Sequence, residues 1–318
     1  MKYRRLGKSG LKVSEIGHGL WGMGSWSGSE DDASRAALRQ SIAGGCTFFD
    51  SAFVYGDGYS DKLIGEIAGD NGDRNLVLAS KIPPANFTWP SRPEMRLREV
   101  FPRAHVLEYV ERIRASFGRP IDLLQFHVWQ DSWAHEAEWQ DTVAELKANG
   151  AIKSFGLSLN RWQPENGLIA IETGLIETVQ VIYNIFDQAP EDLLFPACRK
   201  HDVGVIARVP LDEGSLGGKL TQDTTFPDGD WRARYFSAEN LKATLPRIEA
   251  LKRLLPEGMT MAELALRFIL SEPTVSTLIV GMRAARNVEE NLMVSEKGAL
   301  PPDLVTALRA HRWDRKPS

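Results

Sequence analysis

The sequence predicts an α/β protein folded as a (β/α)8 TIM barrel with an N-terminal β-hairpin and extra C-terminal helices. Eight short apolar segments recur along the 318 residues, and most precede a segment with apolar residues at helical spacing. Strands that alternate with helices form parallel sheets, and eight such units fit a closed barrel better than an open sheet. Two long loops follow predicted strands directly, as around a barrel's functional face. A doubly wound sheet with an added domain is the alternative, and we expect residues 1–318 to form a single domain.

The first predicted element is a hairpin over 3–16 that turns at residues 7–10. The eight predicted barrel strands follow it at 16–20, 47–50, 75–80, 121–127, 152–158, 178–182, 203–208 and 276–280. Ser29 and Asp32 resemble a capping box and predict that a helix begins near Asp31. Further helices are predicted at 104–117, 239–255 and 260–270, with a kink at Pro246 in the second of them. The two long loops are 83–102 and 210–237.

Composition and charge exclude several classes of function. The net charge of −4 and the pI of about 5.9 do not favour nucleic acid or an anionic membrane as a partner. The sequence shows no apolar run long enough to cross a membrane, and its first residues lack the apolar stretch of a signal peptide, so we expect a cytoplasmic protein. Cys46 and Cys198 lie in apolar stretches and are expected to be small buried residues. The oligomeric state stays open.

A glycine motif at residues 17–22 matches the G-x-G-x-x-G pattern of dinucleotide-binding sheets. In that pattern a helix begins at the glycines, so that its N-terminus faces a pyrophosphate. Here the loop continues and helical character starts only near Asp31, and the first acidic residue that ends a second strand is Asp50. The context therefore argues against this type of nucleotide site.

Four polar residues fall at or just beyond the ends of three successive predicted strands: Asp50, Tyr55, Lys81 and His127. The carboxyl ends of barrel strands lie side by side on one face, so these side chains should converge. Packing alone does not explain them, because Asp, Lys and His are rarely buried without partners. We expect the lysine to lower the pKa of the tyrosine, the aspartate to hold the lysine charged, and the histidine to orient a carbonyl oxygen. None of these side chains can donate a hydride, so a nicotinamide cofactor is implied.

These residues lie in segments that resemble the aldo-keto reductase family. The longest match is 49–66, with shorter ones at 79–81 and 124–127, and the likeness extends from Gly17 to Asn291. The resemblance implies a barrel, NADPH binding and hydride transfer to a carbonyl substrate. It also implies that Tyr55 is the acid-base residue and that the other three support it.

The same resemblance assigns the cofactor site residue by residue. Ser158 and Gln180 match positions that hold the nicotinamide carboxamide, and Asn160 is expected to help although Leu159 stands where the family usually has Asn. Arg208 falls where an aromatic residue often stacks on the nicotinamide. The remaining assigned residues are Trp21 and, for the pyrophosphate and adenosine, Pro210, Leu211, Gly214, Leu216, Lys219, Gly281, Arg283, Asn287, Glu290 and Asn291. Arg283 could pair with a 2′-phosphate through two hydrogen bonds, which favours NADP(H) over NAD(H).

The substrate and two other functions stay open at this stage. Apolar walls from Trp21, Trp26, Phe53 and Trp129 would suit a small carbonyl compound with apolar or aromatic character. One alternative is a nicotinamide-binding regulatory subunit with little turnover. Another is an aldolase that uses Lys81 as a Schiff base, although a neighbouring aspartate would keep the amine protonated. The six histidines show no metal-ligand spacing, and we expect no metal.

Overall fold

Eight parallel strands form a closed barrel in the computed structural model, which describes residues 1–24, 30–72 and 75–314. Each strand pairs with the next along the chain, and the last pairs with the first. The barrel strands are β3 Ile16–Gly19, β4 Phe48–Asp50, β5 Val77–Ile82, β6 Ile121–Phe126, β7 Ile152–Ser158, β8 Thr178–Ile182, β9 Gly204–Arg208 and β10 Val275–Gly281. All eight predicted strands are confirmed within two residues at each end, as is the fold class. Lys81 lies inside β5, one residue before its end, and His127 directly follows β6.

The predicted hairpin is also present, as the antiparallel pair β1 Tyr3–Arg5 and β2 Lys12–Ser14. Leu6, between the two hairpin strands, and Val13 of β2 pack into one buried cluster with residues of the barrel strands, among them Phe48 of β4 and Val77 of β5. The hairpin therefore closes the amino end of the barrel, and the polar strand ends face the opposite, carboxyl end.

Helices surround the barrel as predicted. They are α1 Asp31–Ala43, α2 Tyr59–Asn71, α3 Leu97–Val100, α4 Arg103–Phe117, α5 Ala137–Ala148, α6 Leu168–Glu172, α7 Leu194–His201, α8 Trp231–Tyr235, α9 Ala238–Lys252, α10 Met261–Leu270, α11 Ala285–Lys297 and α12 Pro302–Arg309. Helix α9 continues through Pro246 as one helix. Helix α10 begins at a cap in which the Thr260 hydroxyl accepts a hydrogen bond from the Glu263 amide at 3.1 Å. Helix α12 follows the eighth strand–helix unit and is additional to the barrel.

The two long loops fold into short helical turns at the carboxyl end of the barrel. The first, after β5, contains α3, and the second, after β9, contains a 3₁₀ turn over Asp212–Gly217 and the helix α8. Ser29 of the predicted capping box lies outside the described residues. Cys46 and Cys198 are buried and unbonded to each other. Within the described ranges, no helix is long and apolar enough to cross a membrane. That residues 1–318 form a single domain stays a prediction.

Close packing between α2 and α4 depends on a glycine. A Cβ atom added at Gly65 would lie 2.3 Å from the carbonyl oxygen of Ser116 and 2.8 Å from the Cα of Phe117. Real Cβ atoms do not approach backbone this closely, so the two helices would have to move apart. Gly69, one turn later on α2, has nothing within 4 Å of the same added atom.

We therefore expect Gly65→Ala to lower the free energy of unfolding by about 1–3 kcal/mol through overpacking. The matched change Gly69→Ala should leave it unchanged or raise it by up to about 1 kcal/mol, because alanine is the better helix former. Urea unfolding followed by circular dichroism measures both. Equal shifts in the two variants would contradict the packing argument.

Candidate active site

A buried ion pair lies where β4 and β5 end. The Lys81 Nζ is 2.7 Å from the Asp50 Oδ2, and it also donates to the carbonyl oxygen of Ser51 at 2.7 Å. Both charged side chains are almost completely excluded from solvent. The second carboxylate oxygen of Asp50 accepts a hydrogen bond from the Gln180 Nε2 at 2.8 Å, across the barrel from β8. The pair thus holds three strands in register at the barrel mouth.

The two other predicted residues, Tyr55 and His127, lie beside this pair. The Lys81 Nζ is 5.5 Å from the centroid of the Tyr55 ring. The rings of Tyr55 and His127 meet edge to face, with centroids 6.1 Å apart. Trp89, from the loop after β5, packs against His127 at 6.0 Å. The structure therefore brings all four sequence-predicted polar residues into one cluster.

Burial controls the protonation of this cluster. It lowers the pKa of His127 well below 6.5, with help from the Lys81 and Arg208 charges, so the imidazole is neutral at pH 7. Burial also lowers the pKa of Lys81, while the Asp50 carboxylate opposes that shift. Burial raises the pKa of Tyr55, and Asp50 raises it further.

The expected lowering of the pKa of Tyr55 by Lys81 is wrong for the protein in this state. The net shift is upward because desolvation of the phenolate outweighs nearby positive charge. The cation that acts most strongly in the lowering direction is Arg208, at the end of β9. Tyr55 therefore keeps its proton at neutral pH.

Arg208 lies at the barrel mouth with a backbone oxygen as its hydrogen-bond partner. Its Nη2 donates to the Leu159 carbonyl at 2.8 Å, and its buried Nε has no partner among the described residues. Burial lowers the pKa of Arg208 to about 10, so the group is charged at pH 7. A second arginine nearby, Arg161, forms an ion pair of 2.7 Å with Glu213. Glu213 is thus paired, which accounts for a carboxylate in the predicted phosphate loop.

The predicted carboxamide site contains the buried hydroxyl of Ser158. The Ser158 Oγ at the end of β7 is buried and has no hydrogen-bond partner among the described residues. Asn160 is committed elsewhere: its Nδ2 donates to the Trp129 carbonyl at 2.9 Å, and it also contacts Ser91 and Gln163. In the structure Asn160 joins three loops, and its contact with a cofactor stays a prediction.

The predicted pyrophosphate loop turns tightly after β9. Glu213 and Gly214 adopt positive φ angles of 55° and 113° within the 3₁₀ turn. Asp212 is fully buried and accepts a hydrogen bond from the Tyr235 hydroxyl at 2.6 Å. Among the predicted contacts, Pro210 and Leu216 are buried, Leu211 is partly buried, and Lys219 is exposed. Lys219 is therefore accessible to an anion.

The predicted adenosine site lies between β10 and α11. Gly281 ends β10, and the exposed Arg283 lies before α11 with its Cδ 3.0 Å from the position of a Cβ at Gly22. Its positive charge also contributes to the lowered pKa of Asp230, in the long loop after β9. Trp21 and Asn287 are exposed, Asn291 is buried, and Glu290 pairs with Arg286 at 2.7 Å. The predicted adenosine site is therefore open to solvent, and Arg283 places a positive charge at its edge.

A cavity of about 310 Å³ lies near the cluster, and Trp89 in its lining contacts His127. Its lining is mostly aromatic and apolar and comprises Phe53, Val54, Asp57, Pro83, Phe87, Trp89 and Tyr109. Phe53, a predicted wall residue, lines this cavity, and its place in a substrate site stays a prediction. Trp129 is fully buried against Trp133 and Trp139, so it forms no pocket wall in this structure. Trp26 lies outside the described residues. Sequence analysis missed Phe87 and Trp89, whose one signal was their place in a long loop after a strand.

Asp61 is a further buried carboxyl group that sequence analysis missed. It lies in α2 behind the ion pair, and its two oxygens accept the Ser80 hydroxyl at 2.9 and 3.0 Å. Burial raises the pKa of Asp61 to about 7. The signal was available, since Asp61 belongs to the 49–66 segment, but nothing in the sequence showed that its side chain points inward.

Comparison with known proteins identifies the family. The profile described as "Aldo/keto reductase family" matches residues 15–312. The chain is 27% identical over 300 residues to aldo-keto reductase YhdN of Bacillus subtilis (strain 168), covering 91% of this chain and 87% of that protein. It is 26% identical to the NADH-specific methylglyoxal reductase of Escherichia coli (strain K12), covering 92% and 93%. The solved glycerol dehydrogenase AKR11B4 from Gluconobacter oxydans superposes with a TM-score of 0.80 at 25% identity, covering 97% and 94%.

The chain therefore belongs to the aldo/keto reductase family, as the sequence resemblance indicated. Members of this family are NAD(P)-dependent oxidoreductases that reduce carbonyl groups, and this protein is an enzyme of that class.

The raised pKa of Asp61 generates a stability prediction with a definite sign. Between about pH 4 and pH 7 the folded protein holds a proton on Asp61 that the unfolded chain, with its ordinary pKa of 3.8, has lost. The stabilising contribution of this proton is complete below pH 4 and is lost as the pH rises through about 7.

We expect wild type to lose about 1–3 kcal/mol more unfolding free energy than Asp61→Asn between pH 5 and pH 8. Urea midpoints across that range measure the difference. The control Asp70→Asn changes an exposed carboxylate on the same helix, paired with Arg39, and should keep the wild-type slope. Parallel slopes in wild type and Asp61→Asn would show that Asp61 is ionised throughout.

Proposed function

We propose that this enzyme reduces aldehydes or ketones with NADPH and that Tyr55 gives the proton to the carbonyl oxygen. One observation carries the proposal: the buried Asp50–Lys81 ion pair, Tyr55 and a neutral His127 meet at the open end of the barrel. Preorganised donors around one acidic hydroxyl are what the protonation of a developing alkoxide requires.

Each member of the cluster has a separate task in this proposal. Tyr55 is protonated at neutral pH and so is present in the acid form that reduction consumes. Lys81 stabilises the tyrosinate that is left after the proton leaves, and Asp50 fixes the ammonium in place. The neutral His127 donates a hydrogen bond to the carbonyl oxygen and orients it toward Tyr55.

The residues at the barrel mouth fit a nicotinamide cofactor. The buried Ser158 hydroxyl, which has no partner among the residues that the structure describes, suits a carboxamide, because a buried hydroxyl without a partner costs free energy until a ligand bonds to it. Gln180 stands next to Ser158 in the sheet register, and Lys219 is exposed in the loop proposed for the pyrophosphate. When bound, the cofactor supplies the hydride that no side chain here can provide.

We further propose NADPH in preference to NADH. Arg283 is exposed beside Gly22 and carries the positive charge that a 2′-phosphate would meet. The NADH-specific methylglyoxal reductase among the relatives shows that family membership alone does not decide the matter.

The aromatic cavity beside the cluster favours a small carbonyl compound with an apolar or aromatic substituent. Phe53, Phe87, Trp89 and Tyr109 supply most of the lining, and Trp89 contacts His127 directly. Burial of such a substituent against these rings would orient the carbonyl toward Tyr55. The two functions considered beside reduction, subunit and aldolase, gain no specific support from the site.

The first test replaces Tyr55 with phenylalanine. Tyr55→Phe should lower kcat/KM for aldehyde reduction by about 100-fold or more, since general acid catalysis contributes about that much. NADPH affinity should stay within about twofold of wild type, because the phenolic oxygen serves the substrate rather than the cofactor. The decrease in NADPH absorbance with a panel of aldehydes gives the rate, and fluorescence titration gives the affinity.

The matched control is Tyr3→Phe, which removes the same hydroxyl from the hairpin at the closed end of the barrel. It should retain wild-type activity. Full activity of Tyr55→Phe would refute the assigned acid, and NADPH binding without turnover of any aldehyde in wild type would favour the regulatory subunit.

The second test addresses cofactor choice. Arg283→Gln should weaken NADPH binding by about 10- to 100-fold, the equivalent of one lost charge-assisted pair, and leave NADH binding within about twofold. The control Arg5→Gln removes an exposed arginine of the hairpin, at the closed end of the barrel, that pairs with Asp202 and should affect neither cofactor. Equal weakening of NADPH and NADH by Arg283→Gln would remove the argument for a 2′-phosphate contact.

A further inference from the structure

We propose that Arg208 makes the site discriminate between the two redox forms of the cofactor, so that NADPH binds more tightly than NADP+. The inference rests on the proposed function, because it assumes that a nicotinamide ring occupies the barrel mouth. It goes beyond that function by assigning to one side chain a preference that suits a reductase.

Among the described residues at the barrel mouth, Arg208 has no carboxylate hydrogen-bonded to it, although Glu213 and Asp50 act on it through space. Lys81 is paired with Asp50, and Arg161 is paired with Glu213. Tyr55 and His127 are neutral at pH 7. Arg208 makes its hydrogen bond to a carbonyl oxygen, and its Nε is buried without a partner in the described part of the chain.

The remaining acidic group that acts on the cluster is Asp61. It interacts with the Ser80 hydroxyl and lies behind Lys81, on the side of the ion pair toward α2. Its carboxyl is also partly protonated near neutral pH, since its pKa is about 7. Asp61 therefore acts to raise the pKa of Lys81 and does not neutralise the charge of Arg208.

The location of Arg208 brings its charge to the ring site. Its Nη2 donates to the carbonyl of Leu159, which follows Ser158, whose hydroxyl has no partner within the described ranges. Its charge also acts on two neighbours: it opposes the net rise in the pKa of Tyr55 and contributes to the lowered pKa of His127. A ring whose carboxamide meets Ser158 and whose reactive face meets Tyr55 would therefore lie beside the guanidinium.

The redox forms of the cofactor differ by one charge in the ring. The oxidised ring is a cation and the reduced ring is neutral, whereas the phosphates of the two forms carry the same charge. A fixed guanidinium beside the ring would repel the oxidised form more than the reduced one, and the repulsion is stronger in a partly buried site than in open water. Dividing the two dissociation constants cancels every contribution from the phosphates and the adenosine.

The experiment measures Kd for NADPH and for NADP+ by isothermal titration calorimetry at pH 7.5, without substrate. In wild type the ratio of Kd for NADP+ to Kd for NADPH should exceed one. Arg208→Gln and the second neutral variant Arg208→Met should each lower this ratio by about tenfold, the effect of about 1.4 kcal/mol. Arg208→Lys keeps the charge and should keep the ratio within about twofold of wild type.

Arg283→Gln is the matched control, because it removes the same charge at the far, adenosine end of the proposed site. It should weaken both redox forms alike and leave the ratio unchanged. Circular dichroism establishes whether each variant is folded. Two neutral replacements of Arg208 are used so that the test still stands if one of them fails to fold.

Three results would overturn the inference while leaving the proposed function intact. They are a wild-type ratio of one or less, an unchanged ratio in both neutral variants, and a Lys variant that behaves as the neutral ones do. Failure of wild type to bind either form is a different result, since it would reject the nicotinamide site itself and with it the proposed function.

Discussion

The buried ion pair between Asp50 and Lys81 is the interaction on which the arrangement of the site depends. Removing two charges from water costs several kcal/mol per ion, and good geometry with further hydrogen bonds must compensate. Here the Ser51 carbonyl and the Gln180 amide supply those bonds, so the pair connects β4, β5 and β8. Loss of either partner would leave a buried charge alone, and the strand ends that position Tyr55 would lose their common anchor.

The barrel determines which end of the molecule can perform chemistry. The hairpin closes the amino end with apolar side chains, and Asp50, Lys81 and His127 lie at the opposite, carboxyl end. The loops there are fixed by their own hydrogen bonds: Asn160 joins the Ser91 loop to the Trp129 carbonyl, and Arg161 holds Glu213. A site that must hold a ring and a carbonyl in fixed relation needs this rigidity.

Strand periodicity and strand ends were predictable because each depends on residues close in sequence. The in-phase positions of Asp50, Lys81 and His127 followed from that pattern alone, and their convergence is what parallel strands produce. Trp89 and Asp61 were not predictable, since their orientation depends on how loops and helices pack on the barrel. The pKa of Tyr55 also escaped sequence reasoning, because its direction depends on a balance between burial and charges from four separate segments.

The raised pKa of Tyr55 and the positive charge of Arg208 act together in the proposed reduction. An acid for reduction must hold its proton at neutral pH and yet release it when negative charge develops on a nearby oxygen. Burial secures the first requirement, because it disfavours the tyrosinate in the resting protein. In the proposed reduction Lys81 and Arg208 would serve the second, since two fixed cations would stabilise the negative charge that the transferred proton leaves behind. The desolvation that raises the cost of the tyrosinate would also strengthen its attraction to these cations, so one effect would serve both requirements although Tyr55 and Arg208 keep part of their surface exposed.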